Sequence, residues 1–212
     1  MVWNFKNELA RKAIHFFSLL IILVYFLVSD FFNQRIALTF LVLILIIFIE
    51  FEFLRLEVRR KIPILNKIWA WTRRRKEKHL LGGDVFFLLG AILVLAVFDP
   101  KIAIAAILMT TFGDLAAALI GKKFGKHKII KNKTWEGSLS ELAINLIIGV
   151  IVFLVYQDLP FSTWQPWAVI SVMALTATLV ETSVNKLDDN LLIPVFAGFV
   201  GQIMTLVLRY FS

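Results

Sequence analysis

The chain has 212 residues, of which 59% are hydrophobic and 18% charged, with a mean hydropathy of +0.82. That balance excludes an ordinary soluble domain and fits an all-α, polytopic integral membrane protein. The formal charge of +8 reports on membrane topology rather than on a nucleic-acid partner, and the absence of cysteine excludes disulfides and thiolate metal sites.

Taken as spans of about 20 apolar residues, the sequence predicts seven: Ala13–Ser29, Arg35–Leu54, Leu80–Phe98, Ile102–Gly121, Glu136–Tyr156, Trp164–Val184 and Leu191–Tyr210. The first has a basic start but no A-x-A-like site, so it reads as a retained helix. Asp84 interrupts the start of the third. Short connections at Asp30–Gln34 and Asp99–Lys101 predict antiparallel neighbours, and Trp164 and Trp167 read as interfacial anchors after the loop Gln157–Thr163. With the N-terminus in the cytoplasm, 20 of the 23 lysines and arginines fall on the inner side, leaving only Arg35, Lys101 and Arg209 outside. Between the second and third spans, Arg55–Lys78 mixes basic residues with Ile62, Ile64, Leu65, Ile68, Trp69 and Trp71. It reads as an amphipathic segment lying on anionic lipid headgroups. No repeat or linker divides the chain, which reads as one domain over residues 1–212.

The polar residues concentrate in one stretch, Gly113–Gly137. Gly113, Ala117 and Gly121 recur every four residues and form a stripe that admits a close helix neighbour. Asp114 stands next to that stripe, about 10 Å from Gly121 along the helix. A carboxylate at that depth is costly and marks a functional candidate. Six lysines follow, Lys122, Lys123, Lys126, Lys128, Lys131 and Lys133. The run is not a Walker A loop: it is one residue short, and His127 stands where Ser or Thr is required. Beyond it, Thr134 or Ser138 can cap the fifth span, Ser138-x-x-Glu141 fits a capping box, and the helix start offers N–H groups to an anion.

A second acidic group, Glu181 with Asp188, Asp189 and Asn190, lies between the sixth and seventh spans. A helix cap would explain one of these carboxylates. Two, beside cationic loops, point to Mg²⁺ held by oxygen ligands, with Asp114, Asp188, Asp189 and Asn190 as its candidates. His15, His79 and His127 have no zinc-ligand spacing. Arg11 and His15 share a helical face, with Lys12 beside them. Glu50 is a candidate partner for Arg11 or Arg55, and Glu141 with Asn145 forms an i, i+4 polar pair that can tie helices together.

The combination Arg11-Lys12-x-x-His15, Gly113-Asp114…Gly121-x-x-Phe-Gly125…Asn132-Lys133-Thr134-Trp-Glu136-Gly137-Ser138, and Glu181…Asp188-Asp189-Asn190…Ile193-Pro194 resembles the CTP-dependent lipid kinases. These include dolichol kinase, phytol and farnesol kinases, and the fungal-type diacylglycerol kinase. The middle stretch is also similar to phosphatidate cytidylyltransferases, whose longer C-terminal motif this chain lacks. The resemblance implies CTP as phosphoryl donor, Mg²⁺, and a membrane lipid alcohol as acceptor, at a site facing the cytoplasm of a cell or endoplasmic reticulum membrane.

It further implies catalytic roles for Asp114, Glu181, Asp189 and His15. The nucleotide would be held by the lysine loop with Asn132, Thr134, Glu136 and Gly137, joined by Arg11 and Lys12. The alternatives are nucleotidyl transfer to phosphatidate and a non-enzymatic lipid-binding membrane protein.

Overall fold

The computed structural model describes residues 19–57, 80–130, 133–156, 164–184 and 188–211. Arg11, Lys12, His15, residues 58–78 of the basic segment, Lys131, Asn132, the 157–163 loop and Lys186 lie outside the described residues.

The described chain is helical apart from one isolated antiparallel bridge, Lys128 to Thr134. Its helices are α1 (Leu19–Phe31), α2 (Gln34–Glu57), α3 (Gly83–Val97), α4 (Pro100–Phe124), α5 (Trp135–Tyr156), α6 (Gln165–Ser183) and α7 (Asp189–Tyr210). Five of them, α2 and α4 to α7, are long and apolar enough to cross a membrane. The sequence predicts seven spans; α3, with 15 residues, is short of the roughly 20 that a span needs, and α1 is described over 13 residues from Leu19, the first described residue. For α3 the reason is local: Gly82-Gly83-Asp84 delays its start, and Pro100 closes the chain off beyond Val97 and opens α4.

The described residues divide into two compact units, 1–92 and 93–212, within α3. In the first, α1 and α2 pack together, with Ala37, Leu41 and Leu45 buried at i, i+4 spacing. Near the end of α2, Glu52 and Arg55 are both buried and joined by two hydrogen bonds of 3.0 and 2.7 Å. Arg55 also donates to the Leu80 carbonyl at 2.6 Å, and the Gly82 N–H donates to Glu52 at 2.9 Å. The pair therefore draws the return of the chain at residues 80–82 to the end of α2. Glu50, the partner anticipated for Arg55, is exposed; Glu52, three residues away from Arg55, takes that place.

In the second unit α4 is the inner helix: 61% of its apolar window is buried, against 17% for α2. Small residues make that possible, since Ala103, Ala105 and Ala106 let neighbours close in around it. Elsewhere the apolar surface faces outward, with Leu139, Ile151 and Val155 of α5 and Phe196, Phe199 and Leu206 of α7 exposed. Such a surface is stable against lipid rather than water.

The α4–α5 contact depends on glycine. A Cβ on Gly113 would meet Asn145 Oδ1 at 2.4 Å, one on Gly121 would lie 3.4 Å from Gly137 Cα, and one on Gly137 would lie 2.9 Å from the Ala117 carbonyl. The Gly113–Ala117–Gly121 stripe thus meets a matching stripe, Gly137–Glu141–Asn145, on α5. At its end Thr134 sits among Gly121, Gly125 and Gly137. A Cβ on Gly125 would fall 2.1 Å from the Gly121 carbonyl and 2.6 Å from Thr134 Oγ1. We expect Gly125→Ala to lose about 1–3 kcal/mol of stability by overpacking, read as a lower melting temperature in detergent. Gly121→Ala, whose nearest obstacle is Thr134 Oγ1 at 3.0 Å, should lose less; identical melting of both variants and the parent would refute the cradle.

Candidate functional site

The site is built where α4 and α6 end and α5 and α7 begin. Inside α4, Met109–Gly113 forms a π-turn that packs against α5, α6 and α7. Two consecutive threonines explain its position. Thr110 and Thr111 donate their hydroxyls to the carbonyls of Ala106 and Ile107, at 2.8 and 3.0 Å, competing with the backbone ladder. Gly113 then adds a residue that holds the helix weakly. Such widened turns recur at functional sites. Asp114 follows at once and is buried, 9% exposed, as its place beside the small-residue stripe requires.

A layer of polar side chains continues from there. Glu141 and Asn145 of α5 are fully buried against Gly113. Asn145 donates to Thr178 of α6 at 3.3 Å, and its Oδ1 has no hydrogen-bond partner. Nearer the helix ends, Ser138 bonds Thr182 at 3.0 Å. Glu141 and Asn145 were legible as an i, i+4 pair but not as neighbours of Asp114. The signal available was that they share a helical face with Gly137.

Beyond α4 the lysine loop folds into a hairpin. The Trp135 N–H donates to the His127 carbonyl at 3.0 Å, and the Ile129 N–H to the Lys133 carbonyl at 2.9 Å. The His127 ring bonds the Glu136 carboxylate at 2.8 Å across its base. Thr134 Oγ1 accepts from the Gly137 N–H at 3.2 Å and so caps α5. This corrects the capping box expected at Ser138: Ser138 reaches α6 instead, and Glu141 points into the buried contact with α4. The ready anion site expected at the start of α5 is also reduced. The Trp135 and Gly137 N–H groups are already engaged, and Glu136 adds a negative charge in the first turn.

Of the lysines, Lys122, Lys123, Lys126 and Lys128 are exposed. Lys133 is half-buried and forms an ion pair with Glu181, itself 2% exposed on α6. The second oxygen of Glu181 is buried without a hydrogen-bond partner.

At the start of α7, Asp188 is the N-cap: its Oδ1 accepts from the Asn190 N–H at 3.1 Å and from the Asn190 side-chain amide at 2.8 Å. Capping thus accounts for one of the two aspartates. Asp189 retains a buried oxygen, Oδ1, with no hydrogen-bond partner. Pro194, inside α7, removes the intrahelical donor for the Asn190 carbonyl. Among the described residues no three acidic or histidine side chains converge on one point. Mg²⁺ asks for less than that, one or two carboxylates with phosphates and water, and the orphaned oxygen of Asp189 fits such a ligand.

Compared with known protein families, residues 3–182 match the cytidylyltransferase family. Among curated proteins, the chain is 28% identical over 214 residues to CTP-dependent diacylglycerol kinase 1 of Schizosaccharomyces pombe, covering 92% of this chain and 93% of that protein. It is 32% identical over 133 residues to the chloroplastic phytol kinase 1 of Arabidopsis thaliana, covering 58% and 43%. With CTP-dependent diacylglycerol kinase 1 of Saccharomyces cerevisiae it shares 27% identity over 148 residues, covering 67% and 49%. The matched region thus spans nearly the whole of the first relative and less than half of the other two. No solved structure matches the chain. The family match runs from the first residues through the π-turn, Asp114, the lysine hairpin and Glu181, and the chain belongs to the cytidylyltransferase family.

Proposed function

We propose that this chain is a CTP-dependent lipid kinase, which moves the γ-phosphate of CTP to the hydroxyl of a membrane-dissolved alcohol of the polyprenol, phytol or diacylglycerol kind. The products are the lipid monophosphate and CDP. The observation that carries the reading is the placement of Asp114: a buried carboxylate directly after a π-turn, on the helix that ends in a strapped, lysine-rich hairpin. The activities for which the relatives are named, kinases for diacylglycerol and phytol, favour phosphoryl transfer to an alcohol.

Phosphoryl transfer asks a protein mainly for in-line positioning and charge neutralisation. The exposed Lys122, Lys123, Lys126 and Lys128 gather the triphosphate electrostatically, and Lys131, Asn132, Lys133 and Thr134 complete the loop around it, with Glu136 and Gly137 shaping its base. Arg11, Lys12 and His15, which lie outside the described residues, are nucleotide and catalytic candidates by family resemblance. Asp114 and Asp189 would hold Mg²⁺, with Asp188 and Asn190 shaping the turn that presents Asp189. The ion, when bound, neutralises phosphate charge. Asp114 or Glu181 orients the lipid hydroxyl and takes its proton, while the terminal phosphate passes to the hydroxyl oxygen and the CDP oxygen leaves.

We read the whole chain as one membrane-embedded domain of about seven spans, counting α1 and α3 beside the five helices long and apolar enough to cross. The lysine distribution favours a cytoplasmic N-terminus and site, and the basic residues of 58–78, outside the described residues, would attract anionic headgroups; Arg55 is instead buried against Glu52. A second reading, nucleotidyl transfer to phosphatidate with release of pyrophosphate, is favoured by the family match and by the similarity of the middle stretch to phosphatidate cytidylyltransferases.

CTP labelled at the α- or γ-phosphate separates the two. Purified protein in detergent, given Mg²⁺ and a mixture of lipid alcohols and phosphatidate, should put γ-label and no α-label into lipid; α-label in lipid would reverse the assignment. Asp114→Asn should reduce turnover by at least about a hundredfold while the protein keeps its elution profile and melting temperature, and near-normal activity would remove Asp114 from the chemistry. Replacing Lys126 and Lys128 with Gln should raise the apparent KM for CTP several-fold and flatten its dependence on ionic strength, with little change in the KM for the lipid. An unchanged KM for CTP would take these two lysines out of the nucleotide site.

A further inference from the structure

We infer that Glu181 is a positioning residue, which holds Lys133 where the phosphates of the nucleotide arrive, and that the proton of the lipid hydroxyl is left to Asp114. The inference rests on the CTP-kinase reading above and assigns one role where that reading leaves two carboxylates interchangeable.

Glu181 lies in the last turn of α6 with its side chain 3% exposed, and one of its oxygens is committed to the Lys133 ammonium. Lys133 is fixed from two other directions. Its N–H donates to the Ile130 carbonyl and its own carbonyl accepts from the Ile129 N–H, both at 2.9 Å. The next residue, Thr134, is locked in the glycine cradle and caps α5. Backbone and side chain of this one lysine are therefore both held, whereas Lys126 and Lys128 are exposed.

The pair is also asymmetric. Its anion is buried in the helix bundle, while the Lys133 side chain is 28% exposed, open to an anion at the rim. A buried carboxylate beneath a partly exposed ammonium is arranged to hold a cation still. Held in advance, the lysine loses little rotamer entropy when a phosphate binds, which a solvated lysine would lose in full. One oxygen of Glu181 is committed to Lys133 and the other is buried without a hydrogen-bond partner, so whether that second oxygen serves the hydroxyl is what the kinetics decide.

The two roles separate in kinetics. Wild type, Glu181→Gln, Glu181→Asp, Lys133→Ala and the double variant Lys133→Ala with Glu181→Gln are compared for equilibrium binding of CTP with Mg²⁺ in the absence of lipid, and for γ-label transfer. If Glu181 positions Lys133, Glu181→Gln weakens CTP binding about tenfold and raises the KM for CTP. The kcat at saturating CTP and its pH profile stay close to wild type. Lys133→Ala shows the same loss, the double variant loses no more than either single one, and Glu181→Asp, which keeps the charge, recovers most of the binding. A fall in kcat with unchanged CTP binding would assign Glu181 to the hydroxyl and overturn the inference, as would additive losses in the double variant.

Elution profile and melting temperature identify a variant that has not folded, and Glu181→Asp then carries the comparison. Wild-type protein that transfers γ-label while neither single variant alters CTP binding would refute the positioning role alone. Wild-type protein that neither binds CTP nor transfers γ-label would remove both readings.

Discussion

The close approach of α4 and α5 is the constraint on which the rest of the candidate site depends. Glycines at 113, 121 and 137 bring the two backbones together, and each position is one where a methyl group would strike a neighbour. In a membrane no hydrophobic effect drives such helices together, so association depends on packing and on hydrogen bonds across the contact. Here the packing places Glu141 and Asn145 beside the turn that carries Asp114, and Thr134 in the gap at the end. The same contact that holds the helices therefore fixes the depth of the acid and the anchoring of the hairpin.

Charge is handled in the same spirit at two places in the apolar interior. An ionised group away from water is expensive unless it is paired and hydrogen-bonded. Glu52 and Arg55 meet that requirement with bidentate geometry and two backbone groups from residues 80–82. Glu181 meets it through Lys133. Removing one partner of either pair leaves a buried charge exposed to its full desolvation cost, so these pairs specify where a segment returns to the bundle more than they add stability. At the start of α7, Asp188 is satisfied by its capping bonds, and the neighbouring Asp189 is left with an oxygen for something else.

This division of labour suits a reaction limited by positioning. Buried residues set the geometry: Asp114 behind a π-turn, Glu181 beneath Lys133, Thr134 in its cradle. Exposed lysines would supply long-range attraction for a polyanion and need no defined geometry to do so. A lipid alcohol is confined to the membrane and a nucleotide to the water, so their reacting groups meet only near the boundary, where these helices end and the lysines stand.

The sequence by itself determined the class of protein, the run of apolar helices and the stretch in which the candidate residues concentrate. Hydropathy over about 20 residues is a property of composition, and an acid beside a small-residue stripe, followed by six lysines, is local in the chain. Caps and pairings were less legible. Thr134, not Ser138, caps α5, a choice that packing makes between two residues able to cap; Glu52, not Glu50, meets Arg55, because i, i+3 spacing puts the two on one helical face and a spacing of five does not. The length of α3 depended on where Gly82-Gly83 and Asp99-Pro100 interrupt the helix. Only the tertiary structure decided that the stripe on α4 meets Gly137, Glu141 and Asn145, that Met109–Gly113 widens into a π-turn, and that Lys133 pairs with Glu181, 48 residues away. Those outcomes are set by helix approach distances and by the cost of leaving a charge unpaired in an apolar interior, and neither quantity is written in the local order of residues.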